Sequence, residues 1–190
     1  MLLLKRPSAE SIRQFLADQA QRDFSYLAVG ATAGSPPPGY VVDRTRVKLG
    51  EGAQVFEAAK AALRRWGQFG LTWVEIVPAG TPMAKGEVVG VLAHVAGFWW
   101  LNACRVISVF DETGDISRFG CTYGTLPGHA ESGEERFLVE WNQADNTVWY
   151  DILAFSRPNF LLTRLGYPMV RRTQKRFARD SAAAMQRVVS

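Results

Sequence analysis

Only two cysteines and two histidines occur among the 190 residues, and acids almost vanish from the last thirty-four positions. Two thiols, Cys104 and Cys121, are too few to staple a small disulfide scaffold, so a reducing compartment and a core held by apolar burial are expected. His94 and His129 stand far apart, without the paired spacing of a zinc or iron site, so no metal and no cofactor are expected. Long hydrophobic runs are also missing. The most apolar stretch, Val88 to Cys104, falls short of the ~20 residues of a spanning helix and carries Gly97 near its middle, which fits two buried strands joined by a turn. Three leucines precede the first charges, Lys5 and Arg6, fewer than the ~7 of a secretory core segment, so a cytoplasmic protein is expected. No Gly-x-Ser-x-Gly elbow and no phosphate loop ending in Gly-Lys-Ser/Thr occurs.

What is present suits a globular chain: 47% hydrophobic, 21% charged and 12% aromatic residues. Such a length buries roughly 70% of the unfolded surface in one domain. The expected organisation is a single domain over 1–190, with an N-terminal helix and proline-rich loop in 1–39 and the core in 40–190. Ser8 caps a short amphipathic helix that ends near Gln21. Pro36 to Pro38 form a stiff connector. Tyr40 to Leu49 reads as a strand with Thr45, Val47 and Leu49 on one face, and Val55, Phe56, Ala59, Leu63 and Trp66 recur at helical spacing. The period then becomes two. Six strand-like runs follow: Trp73–Val77, Glu87–His94, Trp100–Phe110, Ser117–Tyr123, Arg136–Asn142 and Val148–Ser156. Phe137, Val139 and Trp141 face Ile152, Tyr150 and Val148 across an antiparallel hairpin. A turn at Asp111 to Asp115 would set Cys104 nearly opposite Cys121. Finally Tyr167, Val170, Gln174, Phe177, Ser181, Met185 and Val188 form a helical stripe, in which Gln174 and Ser181 suit a cavity with some polar lining or two satisfied boundary positions.

Strand, helix, six antiparallel strands and a long helix is an α+β order. It resembles the helix-grip fold of the Bet v 1-like superfamily, which includes START lipid-transfer domains and polyketide cyclases. There a curved antiparallel sheet of about seven strands wraps on a long C-terminal helix. The residues Trp99, Asn102, Cys104-Arg105, Tyr123 to His129, Gly133 to Phe137, Ala154 to Pro158, Gln174 and Arg176 to Ala178 further resemble one family of that superfamily, described only as a domain of unknown function. The resemblance implies the fold and a ligand cavity, and no reaction.

Three functions follow as expectations. The first is binding of a small hydrophobic or amphipathic molecule between sheet and helix, with Asn102, Arg105, Tyr123, Trp141, Arg157, Gln174 and Phe177 as ligand-binding residues. Arg105, inside an apolar strand, must pair with Glu134, Glu135 or Asp151, orient a ligand carboxylate, or point to solvent on the convex face. The second is an enzyme on the same fold, cyclase-like or hydrolytic. Its acid–base group would be His129 with Glu131 or Glu135, all within the glycine-rich run Gly120 to Phe137, since a carboxylate beside a histidine fixes its tautomer and stabilises its charged form. The third uses charge. Residues 157–190 hold eight basic residues and one acid, a net +7 that leaves −3 for the rest. This suits nucleic-acid or anionic-membrane binding through the basic C-terminal helix, with Arg171, Arg172, Lys175 and Arg179 in weak contact with the anionic surface; base stacking is not suggested, because the aromatics lie in strands away from the basic residues.

Overall fold

A computed structural model describes residues 1–160 and 166–189. Arg164, one of the eight C-terminal basic residues, lies outside the described residues. The elements are β1 (Leu2–Leu3), α1 (Ala9–Ala20), β2 (Val41–Glu51), α2 (Ala53–Arg64), β3 (Val74–Val77), β4 (Val88–Val95), β5 (Phe98–Glu112), β6 (Ile116–Thr125), β7 (Glu131–Asn142), β8 (Thr147–Pro158) and α3 (Tyr167–Val189). Seven strands form a curved antiparallel sheet in the order β2-β8-β7-β6-β5-β4-β3, and the two-residue β1, absent from the sequence reading, adds to β5 as an eighth. The helix-grip arrangement is thus present. Bulges after Lys48 and Val106 help the strands bend.

The concave face is the main core. Phe137, Val139 and Trp141 pair with Ile152, Tyr150 and Val148 as their alternation requires. Phe56, Ala59 and Leu63 of α2 and Ala182 and Met185 of α3 bury against them. In α3, Ser181 is fully buried and shares a 3.0 Å hydrogen bond with the Tyr150 hydroxyl, so this polar position belongs to the core. Val188, the last residue of the expected stripe, is 44% exposed, and Val189 packs on the core in its place.

The convex face is also covered, which explains why Val88 to Cys104 is apolar almost throughout: β4 and β5 are buried on both sides. Ile12 and Leu16 of α1 pack there on Leu92, Leu101, Ala103 and Leu126. Ser8 caps α1 by accepting the Ser11 N–H at 3.1 Å. Behind α1, residues 25–32 are tied to β7 by Ser132 and Arg136, which donate to the Ser25 and Thr32 carbonyls, and most of all by one carboxylate. Glu134, 3% exposed, accepts from the Tyr26 hydroxyl (2.8 Å), the Gly30 N–H (2.7 Å), the Thr32 N–H (2.9 Å) and the Thr32 hydroxyl (2.5 Å). Two glycines of the long run make room for this layer. A Cβ on Gly124 would lie 2.2 Å from the Tyr26 hydroxyl oxygen, and one on Gly128 2.6 Å from the Phe15 ring. Their task is packing.

Two expectations are corrected here. Cys104 pairs with Thr125 and Cys121 with Val109, because β5 runs on to Glu112 and the turn centres on Asp115; both thiols are buried and free. Arg105 has no carboxylate partner among the described residues. Its guanidinium donates to the Ala20 and Arg22 carbonyls at 2.8 and 2.9 Å and covers the Phe24 ring, closing the C-terminal end of α1 on the convex face. Asp151, fully buried, pairs instead with Arg44 at 2.8 Å and Arg136 at 3.2 Å.

Because Glu134 satisfies four donors, Glu134→Ala is expected to cost about 3 kcal/mol by leaving buried groups unpaired. Chemical denaturation measures the loss, and limited proteolysis should cut first within residues 25–32; an unchanged midpoint and unchanged cleavage would show that the carboxylate is not the anchor.

Candidate functional site

The first half of α3 stands away from the sheet. Its buried residues are Ser181, Ala182, Ala184 and Met185, all in the second half, whereas Gln174 and Phe177 are only partly covered. Between the first half and the sheet lies a cavity of about 740 Å³. One wall is apolar: Phe69, Trp73, Val91, Ala93, Ile152 and Phe177. The other end carries Asp43, Asn102, Tyr123, His129, Glu131, Glu135 and Gln174. Arg44, Lys175, Arg179 and Gln186, exposed, also border it.

Glu131 and Glu135 share a face because they are four residues apart on β7, and Glu134, out of phase, points to the convex side. Gly133 between them lets the strands approach closely. A Cβ there would fall 1.9 Å from the Phe155 carbonyl oxygen. Gln174 Nε2 reaches down from α3 to both Glu131 oxygens, at 2.6 and 2.7 Å, and to the Ser156 hydroxyl at 3.0 Å. Its Oε1 accepts from Arg171 at 2.5 Å, and Arg171 also holds Asp43 of β2, with Nη2 2.6 Å from Oδ1. This chain of contacts bridges the gap between helix and sheet. Glu135 Oε2 accepts the Tyr123 hydroxyl at 2.7 Å.

Burial pushes the Glu131 carboxyl above its ordinary range. Burial also raises Glu135, against the opposing bond from Tyr123 and with help from the charges of Glu131 and Asp43, to about 7. His129 lies next to them yet bonds neither carboxylate. Its Nδ1 accepts the Glu131 backbone N–H at 2.9 Å, which assigns the ring proton to Nε2, and burial lowers its pKa to about 3. A neutral imidazole with its lone pair engaged braces the β6–β7 connection. Asn102 Oδ1 does the same by accepting the Ala130 N–H at 3.0 Å.

The structure therefore brings together Asn102, Tyr123, His129, Glu131, Glu135, Gln174 and Phe177. It leaves three expected residues outside. Arg105 is on the convex face. Trp141 sits under α2, 5.9 Å from Phe56, with its indole N–H on Asn146. Arg157 is exposed over the Tyr40 ring. Of the four basic residues expected to meet an anionic surface, Arg171 pairs with Asp43 and Arg179 with Asp180, while Arg172 and Lys175 are exposed. Asp43, Phe69 and Ile152 were not anticipated as lining. For Asp43 and Ile152 the only signal was strand phase, since Thr45, Val47 and their partners share the concave face. Among the described residues no group of three His, Cys, Asp or Glu side chains is placed to hold a metal, and no helix is long and apolar enough to cross a membrane.

Sheet, gripping helix and a cavity with a carboxylate-bearing end define a helix-grip protein. Within that class the chain belongs to the family described as domain of unknown function DUF1990, whose model matches residues 25–184. It is 36% identical to a UPF0548 protein of Dictyostelium discoideum over 208 residues, covering 100% of this chain and 96% of the relative. A UPF0548 protein of Deinococcus radiodurans is 37% identical over 200 residues, covering 98% of each. Among solved structures, a hypothetical protein of Helicobacter pylori superposes with a TM-score of 0.51 at 10% identity, covering 90% of this chain and 98% of the other, a likeness of fold alone. Ara h 8.0201 gives 0.46 at 12% identity over 77% of this chain and 98% of the other, too low to argue from.

Glu135 couples the site to stability. Folded, it titrates near 7, against a reference of 4.5, so its ionisation weighs on the fold increasingly as pH rises between those values and fully above them. His129 acts with the opposite sign, opposing the fold as pH falls below about 6.5. Glu135→Gln removes the first effect only. It is expected to stabilise the protein by up to about 3 kcal/mol at pH 8 and to be near neutral at pH 4, read from urea midpoints. Equal effects at both pH values would contradict the buried, raised carboxyl.

Proposed function

We propose that this protein binds a small hydrophobic or amphipathic molecule in the cavity between the sheet and α3. The observation that supports this most is the cavity's form. At about 740 Å³ it lies within the ~300–1,000 Å³ of small-molecule sites, and it joins a continuous apolar wall to a few convergent polar groups. A protein that used α3 only to close its core would seat the first half of the helix as deeply as the second. Here small residues, Ala182 and Ala184, let the second half sit close, and the long side chains of Arg171 and Gln174 hold the first half off. The ligand's apolar part lies along Phe69, Trp73, Val91, Ile152 and Phe177, and its polar part meets the Glu135 end.

Nile red, neutral and fluorescent in apolar surroundings, is expected to bind saturably at one site. Ala154→Trp, which places an indole on a cavity-lining position of β8, should weaken that binding at least about tenfold, a change of ~1.4 kcal/mol, with the fold retained by circular dichroism. No saturable binding, or binding indifferent to Ala154→Trp, would remove the cavity reading.

A further inference from the structure

We infer that the molecule held in this cavity carries a protonated amine and that Glu135 receives it. The inference rests on the reading of the cavity as a binding site and adds the chemistry of the polar head. Glu135 Oε2 is engaged by Tyr123, but Oε1 has no hydrogen-bond partner among the described residues and faces the cavity. Glu131 is bonded by Gln174 and Ser156, all neutral donors. Among the described residues neither glutamate has a cation within ion-pair distance, because Arg171, the nearest guanidinium along this chain of contacts, is committed to Asp43. The polar end of the cavity thus holds three carboxyl groups, Asp43, Glu131 and Glu135, against one guanidinium, that of Arg171.

A buried carboxylate without a counter-ion is costly unless a cation arrives to share the site. An ammonium group supplies both the missing donor to Oε1 and the missing charge. A hydroxyl would supply only the donor, and a carboxylate ligand would add a fourth negative group in a poorly screened place. Aromatic rings of Phe69, Tyr123 and Phe177 line the same space and suit the methylene groups beside an ammonium. The basic residues at the rim do not cancel this field. Arg44 and Arg179 are paired with Asp151 and Asp180, and Lys175 is exposed, where water and salt screen it.

The test compares three probes of one shape, 4-phenylbutylamine, 4-phenylbutanol and 4-phenylbutyrate, titrated calorimetrically into the wild-type protein and Glu135→Gln. The amine is expected to bind about tenfold or more tighter than the alcohol, as a charge-assisted bond against a neutral one requires, with the acid weakest. Glu135→Gln should erase the amine's advantage, bringing its affinity to within about threefold of the alcohol's in the same variant. If the wild-type protein takes the alcohol or the acid as tightly as the amine, the inference fails while the cavity reading stands. An amine preference that survives Glu135→Gln would overturn the assignment to this residue. If none of the three probes binds, both readings fall. The wild-type comparison decides the preference by itself, so the outcome does not depend on how the variant folds.

Discussion

A straight helix cannot touch a strongly curved sheet along its whole length, and the rest of this structure is arranged around that mismatch. The second half of α3 makes the close contact, through Ala182, Ala184, Met185 and the Ser181–Tyr150 hydrogen bond. The first half is left above the concavity, where Phe177 meets the rings of Phe69 and Phe137. Polar side chains span the rest of the gap: Arg171 to Asp43 and Gln174 to Glu131. These contacts hold the helix at a distance and leave the space beneath it open, so that a packing mismatch becomes a cavity with a chemically distinct end.

The sheet can carry such an opening because its other side is independently secured. The convex surface of β4 and β5 is covered by α1, and the segment that follows α1 is fastened by Glu134. Arg105 ends α1 by taking the Ala20 and Arg22 carbonyls. Farther along, Asp151 and Glu140 gather Arg44, Arg46, Arg118 and Arg136 over β2, β6, β7 and β8. Every buried carboxylate on this side is matched by guanidinium groups or by several neutral donors. Against that background Glu135 stands out, half-buried on the concave side with one oxygen unmatched. Its neighbour in sequence, Glu134, shows what a fully satisfied carboxylate looks like in the same strand. The period of two sends one to a structural task and the other into the cavity.

The glycine-rich run from Gly120 to Phe137 was legible as unusual, but its roles were not separable along the chain. Gly124 and Gly128 yield space to side chains 98 and 113 positions away, Tyr26 and Phe15, and Gly133 yields it to the backbone of β8. His129 looked like an acid–base group because carboxylates crowd it in sequence, yet its neighbour in space is a backbone N–H. Distances along a chain say little about which polar group a buried imidazole meets. The alternation of Phe137, Val139 and Trp141 against Ile152, Tyr150 and Val148 was readable for the opposite reason, since a hairpin pairs residues that are close in sequence.

Elements, their order and the inner faces of β2, β7, β8 and α3 followed from local periodicity, because helix and strand periods impress themselves on neighbouring residues. The family resemblance added the way those elements are laid together. Where α3 touches and where it stands off, which carboxylate keeps an unmatched oxygen, and that Arg105, Trp141 and Arg157 lie outside the cavity were decided only in three dimensions. Curvature, burial and hydrogen-bond partners are properties of segments brought together from distant parts of the chain, and no local pattern encodes them.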